Sequence, residues 1–206
     1  MLPQMRTRRA EPLAPDDRRR AIIGAITPLI IEQGASATTR QMAEAAGIAE
    51  GTIFRVFPDK FALIHEAVKA SVDPAPVSKA LSEIYPSAPI DVQIAEAARI
   101  IVDYFERVIA LFTAVRNMPT KDSHRVPGPP SYVAEANAVI SQSLTDLFER
   151  HRDALRIEPA RAASAFRALM FANCHPGIGI GEKLTIDEIV SVLLHGSAVP
   201  DPEAAT

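Results

Sequence analysis

The chain has no tryptophan, a single cysteine (Cys174), only 9 glycines in 206 residues, and no apolar stretch long enough to cross a membrane. Each shortage excludes something. One thiol cannot build an internal disulfide framework, which suits a reducing compartment, so the expected location is the cytoplasm. Scarce glycine, with no run of alternating β-branched residues, argues against a sheet. The arginines near the N-terminus are followed by no apolar core, so they do not read as a signal peptide, and no membrane partner is expected. Catalytic signatures are missing as well: there is no G-x-S-x-G, H-E-x-x-H or GxxxxGK[ST]. The segment GIGIGEK has no hydroxyl residue after its lysine and follows a helical pattern, not a strand. His65, His124, His151, His175 and His195 are scattered. His175 adjoins Cys174, but neighbours on a helix point to different faces, so the pair reads as a helix-end histidine beside a buried thiol. No enzyme activity, metal or cofactor is expected.

What remains is 48% hydrophobic and 23% charged, a globular composition with enough chain for a sizeable core. The fold class is all-α. The net charge of −3 conceals a division, because residues 1–60 carry nine Lys/Arg against seven Asp/Glu and the remainder thirteen against eighteen. The +2 balance of the first segment is a small bias in the direction of a polyanionic partner.

Residues 38–60, TTRQMAEAAGIAEGTIFRVFPDK, supply the sharpest local signal. Thr38 and Thr39 can cap a short helix over Arg40 to Ala46, and Gly47 sits where a C-terminal cap needs positive φ. A second short helix over Ala49 to Phe57 is stopped by Pro58. This is a helix-turn-helix pattern, whose second helix can enter a DNA major groove. Met42, Ala43 and Ala46 share a face, Ile48 plugs the turn, and Ile53 and Phe57 are four apart. Burying these turns Glu50, Thr52, Arg55 and Val56 outward, while Gly51 keeps the helix start slim. The same pattern also fits a helical hairpin in an ordinary core, and residues alone leave the two readings balanced.

Along the chain, residues 1–15 hold Arg6, Arg8 and Arg9 among prolines and are expected to be a disordered basic arm. Such an arm can enter a minor groove, but a solvated tail is the commoner role and the reading adopted. The first helix is expected from Asp16 or Asp17 to Gly34, with Ile22, Ile26, Leu29 and Ile30 on one stripe and a bend at Pro28. Asp59 to Ser71 continues as helix. Pro74 and Pro76 mark a boundary between a domain over 16–72 and a second over 73–199. Further helices are expected over Val77–Ile84, Ile90–Asn117, Tyr132–Leu155, from Pro159, and over Ile186–His195. A proline-rich loop over Met118 to Pro130 and a frayed tail over 200–206 complete the outline.

The segment AIIGAITPLIIEQGASATTRQMAEAAGIAEGTIFRVFPDKFALIHEAV resembles the N-terminal domain of tetracycline-repressor (TetR) family transcriptional regulators over roughly residues 17–68. The resemblance implies an all-α homodimer that binds operator DNA and releases it when a small molecule enters a variable C-terminal domain. It also implies roles. Thr38 and Thr39 would cap the first helix and approach a phosphate, with Arg40 beside them. Thr52 and Arg55 would face the duplex, and Lys60 would neutralise a phosphate. Phe54 stands where the family usually has tyrosine, so one hydroxyl contact is lost. Val56 replaces a frequent histidine and can offer only apolar contact, such as to a thymine methyl. Glu50 either accepts from cytosine N4 or simply favours the helix dipole.

The implied function is a ligand-responsive regulator, a repressor acting as a homodimer on a palindromic operator. One short reading helix makes too few contacts for a specific site, whereas a twofold pair spans half-sites roughly 34–36 Å apart. Phe166, Leu169, Met170, Ile189, Leu193 and Leu194 are the candidate dimer interface. Tyr104, Phe105, Phe112, Asn137, Phe148 and Phe171 are the candidate pocket for a small apolar or aromatic effector. For these stripes and rings, plain core packing is the competing reading. The alternative function is a helical small-molecule-binding or interaction module without operator binding.

Overall fold

The computed structural model describes residues 14–116, 130–175, 177–178 and 182–196, and these are helical without strands. Residues 1–13 of the expected basic arm, most of the proline-rich loop, residues 179–181 within GIGIGEK and the C-terminal tail lie outside the described residues. Nine α-helices follow in chain order among the described residues: α1 Pro15–Gln33, α2 Thr39–Ala45, α3 Glu50–Val56, α4 Lys60–Ser71, α5 Ala75–Glu83, α6 Ile90–Val115, α7 Ser131–Glu149, α8 Pro159–Cys174 and α9 Ile186–His195. They divide into two compact units between Ala67 and Val68.

Helix starts are written in the sequence. Pro15 and Pro159 open α1 and α8, where the missing N–H costs nothing. The Asp59 carboxylate accepts from the Ala62 N–H at 2.8 Å at the start of α4. Two helices begin with reciprocal capping boxes. In α2, Thr38 Oγ1 accepts from the Gln41 N–H at 3.2 Å and Gln41 Oε1 from the Thr38 N–H at 2.8 Å. In α9, Thr185 and Glu188 repeat the arrangement. Pro28 lies inside α1 without ending it. The carbonyl it frees belongs to Gly24, on the exposed side of the helix, and the Thr27 hydroxyl ties back to the Ile23 carbonyl at 2.7 Å.

In the first unit, Ile22, Ile23, Ile26 and Ile30 of α1 are buried with Met42 and Ala43 of α2, Ile53 of α3, Phe57, and Leu63 and Ile64 of α4. In the second, α7 packs on α5 and α8, and α6 on α5, α8 and α9. Its core runs through Leu81, Ile94, Ile101, Phe105, Ile140, Leu144, Phe148, Phe166, Met170 and Ile189. Helix α7 stops at Glu149 rather than near Leu155, and a 3₁₀ turn over Arg152–Ala154 follows. Arg152 bridges that turn. Its guanidinium meets Glu149 and Glu158, each at 2.9 Å, so the end of α7 is drawn toward the start of α8.

Gly47 has φ +65°, as the cap position requires, and a Cβ there would meet nothing within 4 Å. The cost of a side chain is therefore conformational alone. Gly47→Ala is expected to destabilise the first unit by about 1–2 kcal/mol, and Gly47→Asn by less, measured by urea denaturation. Equal stability of all three would contradict the left-handed turn.

Candidate nucleic-acid interface

The turn between α2 and α3 is built by backbone bonds. The Ile48 N–H donates to the Ala43 carbonyl at 3.0 Å and the Gly47 N–H to the Glu44 carbonyl at 3.1 Å. This is the paired arrangement that closes a helix through a left-handed glycine. It fixes the angle at which α3 leaves.

Helix α3 is seven residues long. Ile53 and, just beyond its end, Phe57 are fully buried. The opposite side carries Glu50, Gly51, Phe54 and Arg55, all exposed, with Phe54 at 48%. Thr52 and Val56 are half-buried on the flanks of that side. A Cβ at Gly51 would meet nothing within 4 Å, so the start of α3 is open. No side chain caps Ala49, and Glu50 occupies the first turn, where the dipole favours an acid.

The cations differ in how they are held. Arg55 makes no hydrogen bond or ion pair among the described residues and is free to meet an anion. Arg40 pairs with Glu44 at 3.0 Å, both well exposed. Such a surface pair is worth only about 0.3–0.5 kcal/mol, so a phosphate can displace it. Lys60 Nζ donates to the Ala35 carbonyl at 2.7 Å, which ties the start of α4 to the turn preceding α2. An ammonium has three donors, so two remain for a phosphate. Thr38 is exposed and engaged in its capping box, and Thr39 is half-buried beside it.

Sequence reasoning missed Arg19. From α1 its Nη1 donates to the Val56 carbonyl at 3.3 Å, its Cζ lies 4.6 Å from the centre of the Phe57 ring, and its Nε is 3.9 Å from Glu66 of α4. One side chain therefore closes the C-terminal end of α3, where a cation is also favoured by the dipole. Its partners lie far along the chain, so no local pattern could have revealed it.

The other expected sites lie in the second unit. Phe105 and Phe171 do meet, edge to face at 5.5 Å, and Tyr104 is tilted against Phe105 at 5.7 Å. Tyr104 donates to the Val72 carbonyl at 3.4 Å, and burial pushes its phenol up from the ordinary value. Phe148 instead stacks edge to face with Phe166 at 5.9 Å. Phe112 and Asn137 are half-buried. The proposed dimer stripe needs correction. Phe166, Met170 and Ile189 are fully buried in the chain's own core and have no surface to offer a partner. Leu169, Leu193 and Leu194 are half-buried and keep some. His175 accepts from the Gly177 N–H at 3.1 Å and packs on Phe171 at 5.3 Å.

Residues 22–67 match the model for bacterial regulatory proteins of the tetR family. Solved structures share the fold. LfrR from Mycobacterium smegmatis, in complex with proflavine, is 20% identical, with 89% of this chain and 99% of that chain covered at a TM-score of 0.57. A TetR transcriptional regulator from Streptomyces coelicolor is 21% identical, with 86% and 97% covered at 0.55.

Arg19→Met keeps an apolar stem and removes the charge. It is expected to cost about 1 kcal/mol, given a half-exposed cation over a ring and one carbonyl bond. The loss should appear as faster hydrogen exchange at Phe57, whose N–H donates to Ile53 at 2.8 Å. Unchanged exchange there would contradict the clamp.

Proposed function

Starting from a chain that belongs to the tetR family of bacterial regulatory proteins and is a DNA-binding transcriptional regulator, we propose that it is a repressor that binds a palindromic operator as a homodimer and leaves it when a small molecule binds the second unit. The observation that carries this reading is the open side of α3, where Glu50, Gly51, Phe54 and Arg55 stand exposed while Ile53 and Phe57 anchor the opposite side. In this reading α3 lies in the major groove. Arg55 meets a phosphate or a base edge, Phe54 makes apolar contact with a sugar or thymine methyl, and Lys60, Arg40 and Thr38 hold the backbone.

A dimer supplies two such helices, and twofold symmetry in the protein is matched by a palindrome in the DNA. Leu169, Leu193 and Leu194 are the residues of the expected stripe that remain available to it. Release follows if the effector binds more tightly to a form whose reading heads are spaced wrongly for one turn of duplex. Proflavine in the LfrR structure is a precedent within the fold for a bound small molecule. No helix among the described residues is long and apolar enough to cross a membrane.

Selection of bound duplexes from a random pool is expected to recover a palindrome with half-site centres about one helical turn apart. Recovery of no sequence preference would leave an interaction module as the better reading. On the recovered site, Arg55→Ala is expected to weaken binding about tenfold or more, and Lys60→Ala to weaken all sequences alike and lower the salt slope by about 1. Wild-type affinity in both variants would remove their assigned roles.

A further inference from the structure

Arg167 of α8 is the one arginine of the second unit described as half-buried, and its bonding is incomplete. Nη1 donates to the Asn137 carbonyl at 3.2 Å and to the Ser141 hydroxyl, both on α7. Nε and Nη2 find no acceptor among the described residues, and neither is completely sealed from solvent. No carboxylate among the described residues pairs with this guanidinium, in contrast to Arg152, which holds two. Burial holds Arg167 below the ordinary arginine value, with the Tyr104 phenol acting in the other direction. A cation partly withdrawn from water and without a counter-charge is a cost that a bound anion would offset.

The surroundings narrow the anion. Phe171 lies one turn further along α8, on the same side as Arg167. The residue is 39% exposed although its ring meets Phe105 edge to face and packs on His175. A partly exposed aromatic side chain and a guanidinium edge without an acceptor thus lie four residues apart on one side of α8. The Nε–Nη2 edge presents two parallel N–H groups, the geometry that a carboxylate fills with both oxygens.

We propose that Arg167 is the anchor of a site for a small aromatic carboxylate, whose two oxygens take the Nε–Nη2 edge while its ring lies against Phe171. This rests on the reading of the second unit as the effector-binding part and names the chemical class of the effector. The guanidinium is fixed by α7 through Asn137 and Ser141, so it is held in place before a ligand arrives. A neutral amide of the same shape offers one acceptor oxygen and no charge, and forfeits one of the two bonds.

Calorimetric titration of the full chain with 1-naphthoate and with 1-naphthamide tests this. Naphthoate is expected to bind at least about tenfold more tightly. Arg167→Gln should bring the ratio close to one, and Arg167→Lys, which keeps charge but not the fork, should leave an intermediate ratio. Phe171→Ala should weaken both compounds. Equal affinities in the wild type, a ratio unchanged by either Arg167 variant, or no binding of naphthoate at millimolar concentration would each overturn the proposal. If Arg167→Gln does not fold, judged by circular dichroism, the Arg167→Lys ratio decides alone. Parallel measurement of operator affinity separates the two readings. Naphthoate bound through Arg167 with operator affinity unchanged upholds the anion site and removes the effector role. Operator release by naphthamide, indifferent to Arg167, keeps the effector role and overturns the anion site.

Discussion

A helix of seven residues has no stability of its own, because the cost of nucleating it is not recovered over so few hydrogen bonds. Helix α3 exists because Ile53 and Phe57 are buried in the first unit, and everything presented on its other side follows from that anchorage. Two anchors four residues apart define a stripe, and the stripe defines its opposite. Glu50, Phe54 and Arg55 are outward because there is no inward position left for them. The Gly47 turn sets where the helix begins, and Arg19 holds where it ends.

Much of this was legible in the sequence because it obeys short-range rules. A threonine three residues before a glutamine, a glycine after the last apolar position and a proline after the next helix each act within one turn of chain, so Thr38, Gly47 and Pro58 could be read directly. Phe54 shows where such rules fail. In the sequence, anchoring Ile53 and Phe57 does not by itself assign Phe54, and polarity is no guide to a phenylalanine that stands 48% exposed while Thr52 and Val56 are half-buried. Resemblance to the family, not composition, placed Phe54 at the interface. Arg19 was illegible for a different reason. Its bond to the Val56 carbonyl spans 37 residues, and no periodicity reports a contact at that separation.

In the second unit, periodicity identified which residues are buried but not what buries them. Phe166, Met170 and Ile189 lie on apolar stripes of the kind a dimer interface also uses, and the chain's own packing consumes them. The same limit explains α7. A helical pattern continues past Glu149, but the chain turns there, and the Arg152 ion pairs that bridge the turn leave no mark on hydrophobic spacing. Sequence reading therefore located the helices of this unit well and its surfaces poorly.

The two arginines missed at first differ in a way that bears on how the molecule could respond. Arg19 is satisfied by a carbonyl, a ring and a carboxylate, and its effect is to immobilise α3. With both ends fixed and its core side buried, α3 cannot be reshaped for less than the cost of opening those contacts. On the proposed reading, a ligand in the second unit gains little by deforming a reading head and more by changing how far apart two intact heads stand. Arg167 suits the ligand side of that exchange. Its open edge leaves part of its electrostatic cost unmet in the free protein, so an anion would bind it with energy that the chain has not already spent internally. A rigid reader and an unsatisfied receiver are complementary requirements. On the proposed reading, the first would make spacing the variable that DNA senses, and the second would supply the differential affinity without which no spacing would shift.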